Sequence, residues 1–522
     1  MRSRTTASSD RRSLALLAAA AALATACASA HPKPAPVTAS TGSPAVPVVV
    51  ANASALRAGV VSVRVTGQDW NARAPWEKQS PWTRSVTGLV VPGQRILVAS
   101  TAFGNHLLVE AQKLGRDARS TARVTLVDQE GPLALVEVAD AAFWEGLEPL
   151  PLAKHAPTEG TVTIHRWQRS LLDSYPGTVR QVRSGRHGLS QTTLLTLEVA
   201  TGAEGLGDSE VVLADGQVAG LVTGRSGDTF AAIAAPVLSQ FLEGAASGDW
   251  RGFARAGLSW QDLTNPALRE ALGLRAGETG VRLLRVAPNG SAGGVLRKGD
   301  VLLEIGGARL DPTGRYEHPL YGRMLFAQLF TDGRRPGDTL TATVLREGQR
   351  LELTIPLKRM LPEQEKVPPY LYGRGPGYVI VGGLVFQELT RPYLGAYGDW
   401  MRRAPPRLLV ALDREAAAPD PEWPRIVLLA SVLPDPVNLG YQDLRDLIVQ
   451  SVNGRRIGSL EHLRQALADP PGPYHVVELL AGQGTRRLVI GVDEAKAAAL
   501  RLHEAYGVGR MDSAEADVQA AR

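Results

Sequence analysis

From about residue 48 the hydrophobic positions either alternate with polar ones or gather into short runs that glycine, proline and charged residues break. Such segments lie at 59–65, 87–91, 95–100, 122–128, 133–138, 161–165, 193–199, 211–213 and 217–222. Alternation turns one face of a strand to a core and the other to water, and turn residues between such segments predict an all-β sandwich or barrel. A short helix at 234–243 closes this first domain, taken as residues 48–247.

A different pattern follows. Residues 265–272 read as a helix; Val281-Arg-Leu-Leu-Arg-Val-Ala-Pro-Asn-Gly-Ser-Ala follows, and then Leu296-Arg-Lys-Gly-Asp-Val-Leu-Leu-Glu-Ile-Gly-Gly, read as a Gly-Asp turn opening a buried strand and a Gly-Gly hairpin. A helix is predicted at 320–330, and two strands end this unit, 253–357. Residues 358–377, rich in proline and charge, form a linker. The same plan returns in 378–492: an apolar run at 378–389, a strand at 425–432, a helical stretch at 441–444, a strand at 447–452, an Asn453-Gly454 hairpin and a helix at 460–468. Two closing strands complete what reads as a second copy of one module. Residues 493–522 are a polar, alanine-rich tail, predicted to be a frayed helix.

Composition changes the picture in three ways. A chain of 522 residues with 54 Gly and 35 Pro suits several strand-rich domains rather than a helical bundle. The net charge of +5 comes from arginines scattered among acids, so no nucleic-acid partner is expected. A single cysteine excludes an internal disulfide and a cysteine metal site, the histidines show no ligand spacing, and no phosphate-cradling loop is present. No cofactor or metal is expected.

The amino terminus carries its own signal: a charged start through Arg11-Arg12, an apolar run at 14–23 and small residues after it read as a secretory segment. Leu23-Ala-Thr-Ala-Cys27 resembles a bacterial lipobox, which makes 1–27 the signal, Cys27 the lipidated residue and 28–47 a Pro/Ala-rich tether. The alternative is ordinary cleavage after Ala30. The expectation is an exported protein of the bacterial periplasm or outer envelope, held to the membrane by a lipid at Cys27.

Leu296-x-x-Gly299-Asp300-Val301-Leu302-x-x-Ile305-x-Gly307 resembles a PDZ domain of the HtrA type. Pro75-Trp76-x-x-Gln79, Gly93-Gln-Arg-Ile-Leu97, Leu133-Ala-Leu135 and Phe143-Trp-Glu-Gly146 resemble the protease domain of the HtrA, or protease Do-like, family in its plant-type subgroup with two PDZ domains. Trp260-Gln261, Asn265-Pro266, Tyr378 through Phe386 and Val452-Asn-Gly454 are similar to motifs of the same subgroup. The resemblance, over about 60–492, implies a mainly β chain: a trypsin-like double β-barrel followed by two α+β PDZ domains, and a homo-oligomer.

It also allows the catalytic triad to be tested. A serine peptidase needs a hydroxyl nucleophile, a histidine base and an orienting carboxylate. Where the family has its histidine the strand here reads Leu97-Val-Ala-Ser-Thr101, which puts Thr101 at the base position. The family's aspartate position holds Pro132, with Glu130 two residues earlier, and His106 lies five residues beyond Thr101. The nucleophile position falls on Gly207 without gaps or on Ser209 with a two-residue deletion, and Glu210 follows. No catalytic residue is therefore assigned.

PDZ domains bind an extended peptide as an added strand and capture its terminal carboxylate in a loop of backbone N–H groups. The resemblance places that loop at Ala256, Gly257, Leu258 and Ser259 in the first module and at Gly382, Gly383, Leu384 and Val385 in the second, where a groove filled by neighbouring segments is the favoured reading. The expected function is a pseudoprotease that binds peptide or protein C-termini and unfolded proteins as a scaffold or holdase. Two alternatives stay open: a serine endopeptidase using Ser209, and a purely structural assembly factor.

Overall fold

The computed structural model describes residues 53–168, 171–207, 209–415 and 423–514; Cys27, the signal and the tether lie outside them. After a short helix, Ala53–Gly59, six strands close the first barrel: β1 (Val60–Gly67), β2 (Trp82–Val91), β3 (Arg95–Ala99), β4 (His106–Lys113), β5 (Arg119–Asp128) and β6 (Leu133–Val138). β-branched residues dominate its interior. Val61, Val63, Val65, Ile96, Val98 and Val136 are buried together, as expected of side chains that pack well on a pleated surface.

The second barrel closes from β7 (Thr161–Gln168), β8 (Leu171–Gly185), β9 (Leu194–Ala200), β10 (Val211–Ala214), β11 (Gln217–Ser226) and β12 (Thr229–Ala234). The helix Ala235–Ala246 follows and buries Val237, Leu238 and Phe241 against it. Strands β4, β8 and β12 are absent from the predicted segments. β8 has mostly exposed or half-buried positions, with Asp173, Pro176, Arg180 and Arg183, so no apolar alternation marks it. It pairs along its length with β7 and β9 instead.

The first PDZ module holds β13 (Leu258–Asp262), β14 (Val281–Val286), β15 (Val301–Ile305), β16 (Ala308–Arg309), β17 (Arg315–His318), β18 (Gly322–Leu325), β19 (Thr339–Arg346) and β20 (Gln349–Pro356), with sheet order β13-β14-β15-β19-β20. The helix Pro266–Ala271 starts where expected, because the Asn265 side chain accepts the N–H of Ala267 at 2.9 Å. The helix predicted at 320–330 is not present. Gly322 takes φ +67 and opens β18 of a hairpin, and only the 3-10 turn Phe326–Phe330 remains, with both phenylalanines buried.

The second module holds β21 (Tyr378–Val381), β22 (Leu384–Glu388), β23 (Val427–Val432), β24 (Leu447–Val452), β25 (Arg455–Arg456), β26 (Tyr474–Leu479) and β27 (Arg487–Gly491). Helices Arg391–Gly395, Trp400–Arg403 and Pro406–Glu415 stand between β22 and β23. The helical stretch expected at 441–444 is a turn closed by Leu444 N–H to Tyr441 O. The tail is not frayed over its described part. Helix Val492–Tyr506 buries Ala495, Ala498 and Leu502 on one stripe, ends at Gly507 with φ +62, and leads to Met511, whose carbonyl accepts the N–H of Ile380 at 2.7 Å.

The modules pack on the barrels. Asp446 accepts the Tyr393 hydroxyl at 2.6 Å and faces Arg73 of the first barrel's β1–β2 connection at 3.4 Å, while the Arg73 guanidinium lies 4.0 Å from the Tyr397 ring centre. One apolar core runs from the second barrel into the first PDZ module.

Candidate functional site

β3 ends at Ala99 opposite Leu133 of β6, and the chain turns into the 3-10 segment Ser100–Phe103. Ser100 N–H donates to Pro132 O at 3.0 Å, so positions 101 and 132 meet at the ends of paired strands. Neither can do triad chemistry. Thr101 Oγ1 is buried without a hydrogen-bond partner, and a threonine hydroxyl accepts no proton at neutral pH. His106 is exposed, edge-on to Phe103 with a ring nitrogen 3.1 Å from Phe103 O. Glu130 is buried and faces elsewhere, accepting Thr192 Oγ1 at 2.7 Å, Ser190 Oγ at 3.1 Å and the Tyr370 hydroxyl at 3.3 Å.

Ser209 reaches the same crossing from the second barrel, yet its hydroxyl is spent. It is 0 % exposed, donates to Thr87 O at 2.8 Å and accepts Ala99 N–H at 3.0 Å. Its φ of +74 is unusual for a residue with a side chain and is held by Ser209 N–H to Val222 O at 2.7 Å. Glu210 accepts the Gly207 N–H at 2.9 Å, which puts a carboxylate on a backbone donor of this loop. Arg166 takes the carbonyls of Gly205 and Glu204 at 2.7 and 3.3 Å. Ser209 thus acts as a pin between the barrels. Ser209→Ala would strand the Ala99 N–H and the Thr87 carbonyl, and a loss of about 1–3 kcal/mol is expected. Thermal unfolding checks this; a melting temperature equal to that of the unaltered chain contradicts it.

Two buried histidines escape the sequence reading. His187 meets Thr223 Oγ1 at 2.5 Å and Thr196 Oγ1 at 2.8 Å; His165 meets Ser174 Oγ at 2.8 Å and Thr163 Oγ1 at 2.9 Å. Burial lowers both to about 4, so both are neutral at pH 7, and their ring nitrogens face hydroxyls rather than a carboxylate or Ser209. Among the described residues no group of His, Cys, Asp and Glu is placed to hold a metal ion.

Ala256, Gly257, Leu258 and Ser259 come together on a cavity of about 300 Å³. Gly257 takes φ +71, and a Cβ there would lie 3.0 Å from Gly290 Cα, so the turn requires glycine. The loop is braced through its carbonyls, Gly257 O accepting Ala287 N–H at 2.7 Å and Ala256 O accepting Ala292 N–H at 3.2 Å. β13 follows at the edge of its sheet, paired on one side only. In the second module the matching strand β22 lies between β23 and β21. Gly382 and Gly383, with φ +54 and +81, turn β21 back onto β22; Leu384 and Val385 are buried. The chain fills that groove with its own strand.

Residues 367–515 match a family model described as PDZ domain. Protease Do-like 2, chloroplastic, of Arabidopsis thaliana is 27% identical over 479 residues, covering 90% of this chain and 77% of that protein. Protease Do-like 4, mitochondrial, of the same plant is 25% identical over 397 residues, covering 75% and 73%. Over most of its length this chain is similar to the HtrA, or protease Do-like, family. The solved structure of the HtrA-type protease AlgW with decapeptide covers 59% of this chain and 99% of its own at 18% identity and a TM-score of 0.44. In this chain the double barrel carries Thr101, Pro132 and a buried Ser209 where the resemblance puts the triad, and one of the two modules after it keeps an open strand edge.

Proposed function

We propose that this Do-like chain is an exported pseudoprotease, lipid-anchored at Cys27, that binds peptide C-termini and unfolded proteins through its first PDZ module and acts as a scaffold or holdase in the bacterial envelope. The observation that carries the reading is the Ser209 hydroxyl, fully buried and committed to Thr87 O and Ala99 N–H. A serine without a base within reach and without exposure has no route to a substrate carbonyl, and triad members act as a unit, so the absence of base and orienter removes several orders of magnitude in rate. The open edge of β13 beside the Ala256–Ser259 loop supports strand addition by a ligand.

Aggregation of reduced insulin, followed by light scattering with and without the mature chain, tests the holdase role. Scattering should fall in proportion to added chain while the insulin stays intact on a gel. Undiminished scattering at a severalfold excess overturns the role, and insulin fragments overturn the pseudoprotease reading.

A further inference from the structure

The cavity at the first PDZ loop has walls from four parts of the chain. The second barrel contributes Arg186, the first module Arg255 and Arg285, the linker Lys366 and the second module Arg391. One acid stands among these residues, Glu365, and it pairs with Arg255 at 2.5 Å. The other cations are engaged differently: Arg285 Nε donates to Ser259 Oγ at 3.1 Å, Lys366 Nζ lies 4.7 Å from the Trp423 ring centre, and Arg186 donates to Gln191 Oε1 at 3.1 Å. Arg391 Nε is buried with no hydrogen-bond partner. Among the described residues neither Arg186 nor Arg391 meets a carboxylate.

Gathering guanidinium groups that no acid balances costs energy, which an anion placed between them recovers. The packed walls, and after them the charges of Arg255 and Arg391, hold the Arg186 pKa below the ordinary arginine value, although part of that side chain remains in contact with water. A peptide added along β13 would deliver its terminal carboxylate to the Ala256–Ser259 loop and turn its last side chains toward these walls. A single terminal carboxylate cannot balance both Arg186 and Arg391.

We infer that the first PDZ cavity selects peptide C-termini whose last residues carry acidic side chains, with Arg186 and Arg391 as the groups that read them. The inference rests on the peptide-binding reading above and deepens it: the second barrel and the second module become parts of one ligand pocket.

Fluorescence anisotropy on the full mature chain tests it with labelled decapeptides on one Gly-Ser carrier ending in Glu-Glu-Val-Val or Gln-Gln-Val-Val. At low salt the acidic peptide should bind at least about tenfold more tightly than its amide twin, and added salt should narrow the gap. Arg186→Gln and Arg391→Gln should each shrink the gap to within about threefold, while Arg186→Lys and Arg391→Lys keep more of it. Matching melting temperatures guard against misfolding. Equal affinity for the twins, or a gap that survives both glutamine variants, overturns the inference and leaves peptide binding standing. No binding of either peptide overturns both. Undiminished binding of a C-terminally amidated acidic peptide shows that the cavity takes acidic chain without its terminus, and it too overturns the inference.

Discussion

Acidification from pH 6.5 to pH 4 is expected to remove about 3 kcal/mol of stability for each of the two histidines buried in the second barrel. His165 and His187 sit among hydroxyls, and burial lowers each from 6.5 to about 4. Above pH 6.5 both are neutral folded and unfolded, and they contribute nothing to the pH dependence. Below it the unfolded chain takes up protons that the folded barrel refuses, so stability falls until the folded pKa is reached. Ion-paired carboxylates act in a lower window: Asp311 is lowered to about 2 and Asp435 is lowered by Arg501, so their contribution is lost only as pH drops further. Denaturant unfolding across this range checks the assignment. His187→Gln and His165→Gln should start less stable and lose less on acidification; a slope identical to that of the unaltered chain contradicts it.

Asp300→Asn is expected to destabilise the first PDZ module by about 1.5–3 kcal/mol, the cost of removing charge-assisted hydrogen bonds from a partly buried guanidinium. The Asp300 side chain is 1% exposed and lies between Arg346 Nε and Nη2, both at 2.8 Å, while also accepting the Arg297 N–H at 2.8 Å. The carboxylate raises the Arg346 pKa in turn. This explains the Gly299-Asp300 pair that marks the PDZ signature: Gly299 makes the turn at φ +94 and Asp300 ties it to β19. Combining Asp300→Ala with Arg346→Met should recover part of the loss, since the orphaned charge disappears with it. Urea midpoints measure both, and a single-variant midpoint unchanged from that of the original chain argues against the pair's importance.

The parts of the fold that could be read in advance are those whose side-chain pattern is local. Strands expected at 95–100 and 133–138 match β3 and β6 because both are nearly continuous buried apolar runs. The helix expected at 460–468 matches Leu460–Ala468, which Ser459 caps by accepting the His462 N–H. β8 was illegible because its strand form comes from pairing with β7 and β9 rather than from apolar alternation. The helices of 391–415 left no clear signal, being short and rich in proline and arginine. At the site, Thr101 and Pro132 stand beside the paired ends of β3 and β6. The fate of the Ser209 hydroxyl could not be read, since its partners are backbone atoms of Thr87 and Ala99, far away in the chain. The two PDZ modules look alike in sequence plan, and only the placement of β21 shows that one groove is filled while the other stays open.

The Ser209 hydroxyl joins β2 and β3 to the second barrel, and the histidines of that barrel are held neutral by burial. The most direct measurement is fluorophosphonate labelling of the purified mature chain, run beside casein degradation on the same sample. The account predicts no label on Ser209 and intact casein. Stoichiometric label on Ser209 together with casein cleavage would contradict it.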